Sequence, residues 1–348
     1  MQRDPGRSIR SFVASSPDVI VIGAGVLGLC TAAELGARGH AVTVIDPGGT
    51  NASSIAAGMI APALESLLDD LSPDRAALLK RARDLWPEVA ASHGLKLHRD
   101  GADWRGPNAE TALARLQVLG FTALPSNGGL TTLDDWRIDV GPALSALARA
   151  PGVTTVRGRV ARLSGEGRRW RIEAGDGRVW FSSTVVLATG ADSSIPGLAD
   201  GVAAIVAGVQ PIRGQLTAVA TAAPPRMVRG ADVYVAPGEG GVVIGATMEP
   251  GRRDLEPDAA ESVRQVEAGL ALLGAVGEAG TVRVGIRGAT GDGLPLAGPT
   301  GEPGLHLALA PRRNGWLMGP LVAKIVADGI EGRAPGSDAA ALDPLRFA

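Results

Sequence analysis

The feature that most constrains this chain is the run Val19-Ile20-Val21-Ile22-Gly23-Ala24-Gly25-Val26-Leu27-Gly28. Four apolar β-branched residues read as a buried strand, and the glycines that follow turn it sharply into a helix. Gly23 permits the tight turn, Gly25 lets a pyrophosphate approach the backbone, and Gly28 lets the helix pack closely on the strand. The first helical residues, Val26 and Leu27, then offer free N–H groups at the positive end of the helix dipole. A second strand over 41–45 ends on Asp46, 18 positions after Gly28, where a carboxylate suits a ribose hydroxyl. With 49 glycines in 348 residues a bare GxGxxG would arise by chance, so the weight rests on the order strand, turn, helix, strand, acid. The expected fold class is α/β, a doubly wound, Rossmann-like dinucleotide-binding domain.

An apolar content of 45% supplies a large core, in one domain or in two interleaved ones. The formal charge of −2 gives no electrostatic case for a nucleic-acid partner or an anionic membrane. Cys30 is the only cysteine, which excludes an internal disulfide and fits a reducing, cytoplasmic setting. No stretch of 18 apolar residues runs uninterrupted, so no spanning helix is expected. His40, His93, His98 and His306 lack ligand spacing, and no metal site is expected. Neither GxSxG nor a P-loop is present.

Along the chain, residues 1–17 read as a disordered N-terminal extension and 334–348 as a loose C-terminal tail. Segments 18–66, 132–207 and 284–333 are expected to form the nucleotide-binding domain. Segments 67–131 and 208–283 leave and rejoin it, which implies an interleaved α+β substrate domain with an antiparallel sheet. The stretch 153–181, which includes Val160, has the glycine-broken pattern of a β-meander, and it delivers the chain to an apolar strand ending at Thr189-Gly190. A predominantly apolar helix follows Asn314-Gly315 and should be well buried.

Further motifs appear in a fixed order: Ser53-Ser54-Ile55-Ala56-Ala57-Gly58-Met59, Val233-Tyr234-Val235-Ala236-Pro237, Gly245-Ala246-Thr247-Met248, Gly285-Ile286-Arg287 and Arg313-Asn314-Gly315. Together they resemble the D-amino-acid oxidase family of flavoproteins over roughly residues 18–332, and within it the glycine oxidase branch associated with thiamine biosynthesis. The resemblance implies non-covalent FAD, contacted by Ser53, Ser54, Ala57, Gly58, Met59, Val160, Thr189, Gly190, Arg313, Asn314, Gly315, Trp316 and Leu317 as well as by the glycine turn and Asp46. It implies that Arg287 clamps a substrate carboxylate, that Tyr234 shares the pocket as a second catalytic residue, and that Met59, Met248 and Arg313 line it. The implied reaction is oxidative deamination of a small amino acid or secondary amine, with O₂ as electron acceptor and H₂O₂ as product, in a homo-oligomer.

Three positions depart from the family pattern, one of them Gly238-Glu239, where a basic residue often follows the Tyr-x-x-Pro segment. Gly288 stands where proline usually follows the arginine, and Ala310-Pro311-Arg312-Arg313 stands where Gly-His commonly precedes Asn-Gly. Oxidase and dehydrogenase behaviour both stay open, as do a different amine substrate, including a modified tRNA base, and a flavin-binding electron-transfer or assembly subunit. A nicotinamide-dependent dehydrogenase is a further alternative, although it gives the Ala56-Ala57-Gly58-Met59 and Arg313-Asn314-Gly315 segments no role.

Overall fold

A computed structural model describes residues 17–192 and 195–347; the expected N-terminal extension, apart from Pro17, lies outside the described residues. The Val19–Ile22 strand is buried along its whole length and pairs in parallel with Val42–Asp46 on one side and Thr184–Leu187 on the other. Strands Val153–Arg157 and Leu305–Leu309 extend this sheet in parallel, and Leu296–Pro299 closes one edge antiparallel. Alternation along the central strand divides the core. Val19 and Val21 face the helices Val26–Ala37 and Gly315–Ile330, whereas Ile20 and Ile22 pack with Leu163, Trp170 and Ile172 of a three-stranded antiparallel sheet. The six-stranded sheet is therefore covered on both faces, by helices on one and largely by the small antiparallel sheet on the other, as buried parallel strands require.

A second, nine-stranded sheet is largely antiparallel and draws its strands from residues 102–132 and 210–289. Its longest pairing joins Gln210–Ala220 to Glu278–Ala289, with Ile212 opposite Arg287 and Gly214 opposite Gly285. Strand Tyr234–Gly238 pairs with Gly241–Gly245 and with Met227–Arg229, where Tyr234 stands opposite Arg229. The expected segment boundary at 283/284 falls inside the Glu278–Ala289 strand, so Arg287 is carried by this second sheet. The boundary at 66/67 likewise falls inside the helix Pro62–Leu68.

Trp86 is fully buried and donates its indole N–H to the Trp316 carbonyl oxygen at 2.7 Å, tying the helical segment after residue 72 to the start of the final helix. Among the described residues no helix is long and apolar enough to cross a membrane.

The expectation of a loose tail is corrected by the packing of residues 339–347. They form a short helix, Ala339–Leu342, and a 3₁₀ turn, Pro344–Phe347. Leu342 is fully buried in the main core, and the Arg346 guanidinium pairs with Asp292 at 3.0 Å. Leu342, the buried Pro344 and the Arg346 contacts with Asp292 and the Leu294 carbonyl oxygen together hold a segment that composition alone reads as polar and small. We expect Leu342→Ala to lower the unfolding free energy by about 2–5 kcal/mol in urea denaturation, the usual cost of emptying a buried leucine site; a loose tail would give no change.

Candidate active site

The glycine turn is tight for reasons visible atom by atom. Gly23 has φ +112°, and a Cβ there would lie 2.3 Å from the Ala188 carbonyl oxygen. A Cβ on Gly28 would lie 2.1 Å from the Gly23 carbonyl oxygen. Both positions are closed to any side chain, which presses the first helix onto the Val19–Ile22 and Thr184–Leu187 strands. Gly25 caps that helix, and the Val26 N–H donates to Ser53 Oγ at 3.0 Å. The Asp46 carboxylate accepts N–H groups from Ala24 and Gly48, each at 2.7 Å, and so braces the turn from the neighbouring strand. Ser54 serves a local purpose: its hydroxyl accepts the Asn51 N–H while Asn51 Oδ1 accepts the N–H groups of Ser53 and Ser54, a capping box at Ala52–Ile55.

A cleft runs from this turn along Gly25, Val26, Leu27 and Ser53, past Gly190, to Arg313, Gly315 and Trp316. It continues into a cavity of about 640 Å³ that shares Ala52, Ala56, Arg287, Arg313 and Trp316 with it. The cavity brings together Arg287, Tyr234, Met59, Met248 and Arg313, with Ala57 and Gly58 in its wall. Other expected residues sit behind these surfaces. Leu317 is in the core, Val160 packs beside the cluster under the six-stranded sheet, and the Thr189 hydroxyl donates to the Asp192 carbonyl oxygen at 2.8 Å. Asn314 opens the final helix, where its carbonyl oxygen accepts the Met318 N–H at 2.8 Å.

Arg287 owes its position to a glycine on another strand. A Cβ on Gly214 would lie 2.1 Å from Arg287 Nη1 and 2.4 Å from Cζ, so the guanidinium lies across the bare backbone of Gln210–Ala220. Arg287 Nη1 donates to the Thr247 carbonyl oxygen at 3.1 Å and contacts Met248 Sδ at 3.4 Å. Burial lowers its pKa, and Tyr234 nearby acts in the opposite direction. Tyr234 is itself buried, which raises its phenol pKa against the pull of Arg287 and Arg229. The Arg287 guanidinium and the Tyr234 phenol face one cavity.

Sequence reading missed Glu65, the one acid in the apolar run Ala61–Leu68, an isolation that was itself a signal. It is 3% exposed, lies in the cavity wall and pairs with Arg229 at 2.6 Å and with Arg313 Nε. Burial alone would raise its pKa, but Arg229 and then Arg313 outweigh it and hold the carboxylate at about 2. Asp69, one turn further on, pairs with Arg313 at 3.0 Å and Arg312 at 2.8 Å. These acids fix a loop in which Ala310 and Arg312 both take positive φ, +57° and +51°, a conformation costing roughly 1–2 kcal/mol for each non-glycine residue. Gly288 accepts the Arg312 N–H at 2.8 Å, and a Cβ on it would lie 2.9 Å from the Gly190 carbonyl oxygen, which leaves no room for a proline ring.

The fold and this cleft define an FAD-dependent oxidoreductase. Residues 18–329 match the family described as DAO, FAD dependent oxidoreductase, and the chain belongs to it. It is 29% identical to the tRNA 5-methylaminomethyl-2-thiouridine biosynthesis bifunctional protein of Thiobacillus denitrificans, over 99% of this chain but 62% of that relative, so the chain spans about three fifths of that protein's length. It is 29% identical to glycine oxidase of Pseudomonas aeruginosa, covering 94% of this chain and 99% of that one. The crystal structure of glycine oxidase from Geobacillus kaustophilus superposes with a TM-score of 0.79 at 25% identity, over 94% of this chain and 98% of that one. The cleft fits FAD on its own geometry: a helix N-terminus behind side-chain-free glycines, an acid at the end of the second strand, and a continuous opening into the Arg287 cavity.

A carboxylate whose folded pKa is depressed contributes stability that is present above its ordinary value and lost as pH falls through the folded value. For Glu65 that window runs from about 4.5 down to about 2. Comparing wild type with Glu65→Gln by chemical denaturation at successive pH values, we expect a wild-type advantage on the order of 3 kcal/mol near neutral pH that shrinks towards pH 2. A difference independent of pH would contradict the ion-pair account.

Proposed function

We propose that the chain catalyses FAD-dependent oxidation of the Cα–N bond of a small amino acid or secondary amine, such as glycine, sarcosine or a small D-amino acid. The observation carrying this reading is the guanidinium of Arg287, half-buried in the cavity wall beside Tyr234. A planar guanidinium grips a carboxylate through two parallel N–H donors, which fixes the orientation of the Cα–H bond. Tyr234 adds a hydroxyl donor to the same end, while Met59 and Met248 supply apolar walls that suit a compact substrate. FAD held along Gly25, Val26 and Ser53 would supply a two-electron acceptor for the Cα hydride, with O₂ as the final oxidant. The imine product hydrolyses in water and needs no protein nucleophile. Positioning is then the main catalytic contribution of the side chains. Glu65 is already committed to two arginines and is not free to take the proton of a substrate ammonium.

Likeness to glycine oxidases along nearly the full length of both chains supports this substrate class. A second reading, an amine on a modified nucleoside, is favoured by the likeness to the tRNA-modifying relative. The formal charge of −2 offers little hold on a polyanion, which weighs against it.

A peroxide-coupled screen of glycine, sarcosine, and small and large D-amino acids tests the proposal directly; silence on all of them would remove it. For the best substrate we expect Arg287→Ala to lower kcat/KM by about two orders of magnitude or more while the protein stays yellow. Unchanged kcat/KM would exclude the clamp. We also propose that FAD is held without a covalent bond. Cys30 lies in the packing between the first and final helices, against Gly319, and burial pushes its thiol up to about 12. Acid denaturation should therefore release all the flavin into the supernatant; flavin retained on the precipitated chain would contradict this.

A further inference from the structure

Strand Gln210–Ala220 places alternate residues on opposite faces. Gly214 and Leu216 line the cavity, and Gly214 carries the Arg287 guanidinium. Arg213 and Gln215, both fully buried, point the other way. There they hold the segment that returns over the cavity. Arg213 donates to Glu249 Oε1 and to the Glu256 carbonyl oxygen, and Gln215 bonds both the N–H and the carbonyl oxygen of Asp258 at 2.8 Å.

All of this converges on one residue. The Thr247 hydroxyl donates to Glu249 Oε1 at 2.9 Å and accepts the Gln215 N–H at 2.9 Å. The Thr247 N–H donates to the Gln215 carbonyl oxygen at 3.2 Å. Its own carbonyl oxygen accepts Arg287 Nη1. Every polar group of Thr247 is thus committed, and three of its four bonds serve to hold the fourth in place. A continuous set of contacts leads from a buried cation, Arg213, through Glu249 and Thr247 to the cation that faces the cavity.

We infer that Thr247, anchored by the Arg213–Glu249 pair, is the positioning residue of the carboxylate clamp: it sets the angle at which Arg287 presents its donors to the acid end of the substrate. This rests on the reading of Arg287 given above. A bidentate grip depends on orientation more than on charge alone, because both donors must meet both oxygens. An arginine whose carbonyl partner is loosened keeps its charge and loses its preorganisation. Arg287 would then sample poses that do not match a carboxylate, and binding of the acid would weaken.

The test uses the FAD-loaded protein and glycolate, which keeps the carboxylate of glycine and lacks its amine. Glycolate binding is read from the perturbation of the flavin absorption bands, without turnover. Thr247→Val removes the hydroxyl at nearly constant volume, and we expect a glycolate Kd about tenfold higher. KM for glycine should rise by a similar factor with kcat nearly unchanged. Thr247→Ser keeps the hydroxyl and should bind like wild type. If Thr247→Val does not fold, Glu249→Gln reads the same link, because it removes the charge that joins Arg213 to Thr247. Glycolate bound as tightly by a folded, yellow Thr247→Val or Glu249→Gln variant as by wild type would overturn the inference while leaving the clamp itself intact. A purely structural role would show the same pattern, with a lower melting temperature and unchanged Kd. Wild type that fails to bind glycolate would overturn the reading of Arg287, and this inference with it.

Discussion

The Glu65 carboxylate joins three stretches of chain that have little else in common. It sits on the helix Pro62–Leu68, Arg229 comes from a strand of the nine-stranded sheet, and Arg313 comes from the turn that opens the final helix. Replacing such a buried pair with apolar residues of equal volume is often neutral or stabilising, so net stability is not its best explanation. Its effect is geometric. Two guanidinium groups that would otherwise repel across a cavity are fixed at set distances from one acid, and the turn bearing Ala310 and Arg312 is held in a conformation that such residues resist. The site wall can then combine charges from both sheets without collapsing.

Much of the first half of the site was legible because local backbone requirements write themselves into sequence. Gly23 and Gly28 are there because no larger residue fits, and Asp46 ends its strand because the neighbouring turn needs an acceptor. The helix after Asn314-Gly315 was readable from its apolar run, which covers one face of the six-stranded sheet. Arg287, Tyr234 and Met248 could be singled out only because short motifs around them resemble a family pattern; spacing alone says nothing about which of 31 arginines, the total of 34 basic residues less three lysines, faces a cavity.

What stayed hidden depends on long-range pairing. Glu65 and Arg229 are 164 positions apart, and no periodicity links them. Gly214 looked like one more glycine until strand register put it under Arg287. The boundary at 283/284 was misplaced because a twelve-residue strand continues through it, and strand continuity is decided by the partner strand rather than by composition. The tail misled for a related reason: the burial of Leu342 is conferred by a core assembled from residues far upstream. Gly288 shows the reverse case, in which an apparent family departure has a local cause, the close passage of Gly190.

The bare backbone at Gly214 also bears on how relatives of this chain are interpreted. A single methyl group there would force the guanidinium to shift without deleting it. A descendant carrying that change would still display the arginine in an alignment and yet present its guanidinium in a different pose. Competence in such lineages is better judged from the opposing strand than from the presence of the arginine itself.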